Sequence, residues 1–86
     1  MAMKIIYAYP AEKGRGVEAE IVGGLRDRCG HVVQTAREER DAERGGGADV
    51  IVTLELDDAQ RDTAINTLRA HPAVIDAAAG SFGERV

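Results

Sequence analysis

The sequence predicts an α+β fold of order βαββαβ, with two helices covering one face of a four-stranded antiparallel sheet. Three observations carry this. Val50, Val52, Leu54 and Leu56 alternate with Asp49, Ile51, Thr53 and Glu55, the period of a strand with one buried face. Val17, Ile21, Leu25 and Arg28 recur at helical spacing between Gly16 and Gly30, with Val22 and Cys29 alongside. Two strand-like runs flank a polar stretch ending in Gly45-Gly46-Gly47, as in an antiparallel hairpin.

The first strand spans Met3–Tyr9, with Ile5, Tyr7 and Tyr9 on one face and Ile6 and Ala8 on the other. Apolar character on both faces predicts a central strand, and Pro10 ends its ladder for want of an N–H. Ala11–Arg15 is a polar loop. The first helix starts near Arg15 or Gly16 and ends at Gly30, a residue suited to the left-handed C-terminal position. Gly23 and Gly24 inside it cost about 1 kcal/mol each relative to alanine, so close packing against a sheet or another helix is expected there.

His31–Glu38 alternates as a second strand, with Val33 and Thr35 opposing Val32, Gln34 and Ala36; the polar residues through Arg44 form a solvated hairpin extension. Ala48–Leu56 is the third strand. Asp57 or Asp58 caps the second helix, whose apolar stripe is Ala64, Ile65 and Leu68 and which ends before Pro72. Ala73–Ala79 is a short closing strand, and Gly80–Val86 is a loose tail. Residues 1–86 form one domain with its core over about 3–79, in a ferredoxin-like arrangement of strand order 3-1-2-4 or a close relative.

Composition narrows the function. An apolar fraction of 44% with no tryptophan and one phenylalanine gives a small aliphatic core, which favours a homodimer. A net charge of −4 and three aromatics (Tyr7, Tyr9, Phe82) argue against nucleic-acid binding. The single Cys29 excludes an internal disulfide and any cysteine-cluster metal site, and no cofactor is implied. No run approaches the roughly 20 apolar residues of a membrane span, and no signal-peptide pattern opens the chain, so the expectation is a cytoplasmic protein that does not insert in a membrane.

Glycine at a helix start leaves backbone amides open to an anion or carboxylate, because the first four N–H groups have no partner inside the helix. The run Gly16-Val17-Glu18-Ala19-Glu20-Ile21, then Val22-Gly23-Gly24-Leu25, directly follows the first strand and its Pro10 turn. In order and spacing it resembles the signature of ACT domains, small regulatory modules that bind amino acids and other small ligands. His31–Thr35 takes the place of that family's second strand. Leu68-Arg69-Ala70-His71-Pro72-Ala73-Val74-Ile75-Asp76-Ala77 is similar to its closing pattern. The resemblance covers about residues 3 to 79. Arg15 stands where many members carry proline and Glu18 where they carry leucine.

The resemblance implies a regulatory, non-enzymatic homodimer with an amino acid or similar metabolite at the interface, held near Gly14, Arg15, Gly16 and His31. Two readings stand for the loop. Either its amides and Arg15 hold a carboxylate, or the glycines turn the chain and Arg15 is solvated. His31 is a ligand contact or a surface residue at a strand start. His71 complements the second helix's dipole, and Cys29 packs in the core. No nucleophile–base pair or metal constellation is spaced for catalysis. The alternative function is a structural pairing module, such as a soluble domain of a transporter-associated protein or a larger enzyme.

Overall fold

The structure, a computed structural model, describes residues 2–41 and 47–80. Strand β1 (Ala2–Pro10) leads through a 3-10 turn (Ala11–Lys13) into helix α1 (Arg15–Cys29). Strands β2 (Val32–Asp41) and β3 (Ala48–Asp57) follow, then a second 3-10 turn (Asp58–Gln60), helix α2 (Arg61–Ala70) and strand β4 (Asp76–Ala79). All pairings are antiparallel, in the order β2-β3-β1-β4. This is the ferredoxin-like βαββαβ fold.

The order corrects 3-1-2-4. Strand β1 is central, as its two apolar faces require, but its neighbours are β3 and β4, and β2 lies at the edge. Placing β2 inside the sheet would strip solvent from Arg37-Glu38-Glu39-Arg40-Asp41, which the edge leaves exposed or half-buried. Ile5, Tyr7 and Tyr9 on β1 oppose Leu54, Val52 and Val50 on β3, and both rows are sealed beneath the helices. Ile21, Val22 and Leu25 of α1 and Ala64, Ile65 and Leu68 of α2 complete a single core. His71 fastens the two helices. Its Nδ1 accepts from the Ala73 amide at 3.1 Å, which puts the ring proton on Nε2, 2.7 Å from the Glu20 carboxylate of α1.

Several local expectations are revised. Helix α1 does end at Gly30, which adopts φ 81° and donates to the Arg26 carbonyl. However, a Cβ built on Gly23 or Gly24 meets nothing within 4 Å, so neither glycine marks a close approach. Gly23→Ala and Gly24→Ala are each expected to stabilise the fold by about 1 kcal/mol, read as a raised denaturation midpoint. Arg28, expected on the apolar stripe, is exposed. Helix α2 opens after Gln60 without a side-chain cap bond, because the Asp58–Gln60 turn separates it from Asp57. The closing strand is shorter than Ala73–Ala79. Pro72 is followed by a turn in which the Val74 amide donates to His71, and Ile75 then joins β1 through the Ala8 carbonyl. Of the tail, residues 81–86 lie outside the described residues, as does the hairpin tip at 42–46 with Gly45 and Gly46.

Candidate functional site

The start of α1 is exposed and open. Gly14, at φ 84° and ψ 163°, precedes the helix and offers no side-chain cap; the Val17 amide donates to the Gly14 carbonyl at 3.2 Å, and the Arg15 and Gly16 amides have no side-chain acceptor among the described residues. Gly14, Arg15 and Gly16 are all exposed, and a Cβ on Gly16 would meet nothing within 4 Å. From there a groove of about 370 Å³ runs between α1 and β2, lined by Arg15, Glu18, Ala19, Val22, Arg26 and Gln34. Arg26 is anchored at the far end, where its Nε donates to the Val32 carbonyl at 3.3 Å.

The floor of the groove is a polar cluster that the sequence analysis did not single out. Glu18 is 7% exposed, the one charged residue buried with the core among the described residues. Its Oε1 accepts from the Tyr9 hydroxyl at 2.7 Å and from Arg37 Nε at 2.8 Å, and its Oε2 accepts from Gln34 Nε2 at 3.1 Å. Burial pushes the carboxyl up, but the hydrogen bonds from Arg37, Tyr9 and Gln34 outweigh that and hold it below its ordinary value. The helix dictates the burial: Glu18 lies three, four and seven residues before Ile21, Val22 and Leu25, on their own stripe.

A bulge dictates the partner. The β2–β3 register shifts between Gln34 and Ala36, leaving Thr35 as the extra residue. Strict alternation from Val32 would send Ala36 under the helices and Arg37 outward. With the bulge, Arg37 opposes buried Val52 and reaches Glu18, while Ala36 joins the open face of the sheet. Of the acid-rich run, Glu38–Asp41 is strand, with Arg40 bonded to Glu38 at 2.7 Å, and residues 42–43 lie outside the described residues.

Tyr7 lies beside this cluster, its ring stacked on Tyr9 with centroids 6.3 Å apart. Its buried hydroxyl has no hydrogen-bond partner among the described residues. Burial, reinforced by the nearby Glu18 charge, pushes that phenol well above its usual range. Tyr7→Phe removes the unsatisfied group and keeps the ring, so it is expected to raise stability by about 1 kcal/mol in denaturant titration.

His31 does not join Gly14, Arg15 and Gly16 within one chain. It follows the far end of α1, which at 1.5 Å per residue is about 22 Å from the helix start. There it lines a separate recess of about 360 Å³ with Ala2, Cys29, Val33, Glu55, Leu56, Asp57 and Gln60. Burial pushes the Cys29 thiol up against the weaker lowering effect of Arg28, which keeps it protonated and suits packing. Among the described residues, no group of three His, Cys, Asp or Glu side chains is placed to hold a metal ion. No helix there is long and apolar enough to cross a membrane. No protein-family model matches this chain, and no curated protein matches it either.

Proposed function

We propose that this chain is a small regulatory domain of the ACT type that pairs with itself and binds an amino acid or similar small metabolite. The observation that carries the reading is the uncapped start of α1 opening directly onto the Arg15–Arg26 groove. Outward amides beside the Arg15 guanidinium suit the carboxylate of such a ligand. The loop from Gly14 to Gly16 therefore forms the ligand site, with Arg15 as its charged contact. The site is one of binding and assigns no residue to catalysis. His31, at the other end of α1, is no part of it within one chain.

Exposed Gly16 separates binding from folding, because a Cβ added there meets nothing within 4 Å. Gly16→Val is expected to abolish binding by crowding the amides, and Arg15→Ala to weaken it by about tenfold, the value of one charge-assisted contact. Circular dichroism of both variants should match the parent. Calorimetry with the first amino acid that stabilises the parent protein reads the difference, and unchanged affinity in Gly16→Val would remove the site from this loop.

One observation favours the alternative, a pairing module without a ligand. Glu18 on the groove floor is already bonded by three side chains of its own chain, so the floor is complete without an added molecule.

A further inference from the structure

Three kinds of surface could carry the pairing, and two of them are guarded. Strand β2 is an exposed edge, but its bulge at Thr35 and the charges from Arg37 to Asp41 oppose the addition of another strand. Strand β4, the other edge, has four residues. The helices cover one face of the sheet. Among the described residues no element covers its other face, where Ile6 and Ala8, 3% and 5% exposed, lie between half-buried Ile51, Thr53 and Ala78 and exposed Ala36. Val33, 39% exposed, continues it at one end.

The charges on this face are self-complementary. Lys4 on β1 and Glu55 on β3 are cross-strand neighbours at that same end. Neither makes an ion pair among the described residues. A two-fold axis running along the strands, midway between β1 and β3, lays β1 of one copy over β3 of the other. Lys4 then meets Glu55 of the partner subunit, and Glu55 meets Lys4 of the partner subunit. The same operation sets Ile6 against Thr53 of the partner subunit and Ala8 against Ile51 of the partner subunit. Glu38 approaches Asp76 of the partner subunit at the rim, but Arg40 already neutralises Glu38 at 2.7 Å.

We propose that a second copy of this chain occupies the sheet face opposite the helices, in a two-fold sandwich of sheets joined at its end by reciprocal Lys4–Glu55 pairs. Aligned sheets about 10 Å apart, with strands within about 30° of each other, keep these rows in register. The inference rests on the self-pairing in the proposed function and names its surface; it does not depend on the ligand.

Two charge-reversed chains test it. Lys4→Glu presents two acids to its own copy, and Glu55→Lys presents two bases. Each alone is expected to self-associate about tenfold or more weakly than the parent in sedimentation equilibrium. An equimolar mixture of the two should recover the parent's dimer, since only unlike copies then match at both pairs. Rescue by mixing cannot arise from pairing within a chain. Ile51→Lys, at the centre of the face, is the second probe and should be monomeric with unchanged circular dichroism. Parent-like dimers of Ile51→Lys, or single reversals that mixing does not rescue, would overturn the face while leaving self-pairing intact. A parent protein monomeric at high micromolar concentration would overturn both.

Discussion

Leu54→Ala is expected to lower the unfolding free energy by about 2–5 kcal/mol, the range for truncating a sealed leucine. Leu54 is fully buried on β3, opposite Ile5 on the central strand and Gln34 on the edge strand. The row is held by backbone pairing on both sides, so the sheet cannot close over the space left behind. The cavity therefore persists, and its cost adds to the lost transfer energy of the missing methyl groups. Exposed Asn66 on α2 is the comparison, where Asn66→Ala should stay within about 0.5 kcal/mol. Urea titration at one fixed protein concentration reads both, because self-association also shifts the midpoint. Equal losses would mean that β3 does not face the helices with its Val50, Val52, Leu54 and Leu56 row.

The second large effect is at Glu18. Glu18→Leu installs the residue that ACT domains carry there and would suit the apolar stripe of α1. It also leaves the Tyr9 hydroxyl, the Gln34 amide and the Arg37 guanidinium without their acceptor. The expected loss is about 1–3 kcal/mol, the penalty for stranding buried donors, and it exceeds the gain from one more apolar side chain. The pH dependence carries the same signature. Because the folded carboxyl sits below its ordinary 4.5, its contribution is complete above that pH and is lost as pH falls through the folded value. Subtracting the stability of Glu18→Leu from that of the parent should give a difference that is flat near neutrality and shrinks in acid. A difference that grows in acid would mean that the carboxyl is held above its ordinary value, against the three donors.

Period alone revealed most of the fold. The alternation of Val50 to Leu56, the stripe of Ile21 and Leu25, and the two-faced apolar β1 each record which side of an element is buried, and each stands as read. Strand order depends instead on which neighbours bury those faces, a tertiary matter, and the polar residues of β2 decide it by requiring an edge. The Thr35 bulge was illegible for a related reason: nothing in Gln34-Thr35-Ala36 itself announces an extra residue, yet it reverses the facing of everything after it. Half of the polar cluster was nonetheless readable. A glutamate on the same helical stripe as Ile21, Val22 and Leu25 has to be buried, and a buried carboxylate needs donors. Gly23 and Gly24 misled in the other direction, since their cost suggested a packing reason that the space around them does not bear out.

The open start of α1 matters only if something binds there, so the most direct measurement is thermal unfolding of the parent and of Gly16→Val with each amino acid in turn. A ligand of the folded state raises the melting temperature in step with RT ln(1 + [L]/Kd). At least one amino acid is expected to do so for the parent, with a rise that grows with concentration and is missing in Gly16→Val. A parent that no amino acid stabilises, or one stabilised equally in Gly16→Val, would contradict it.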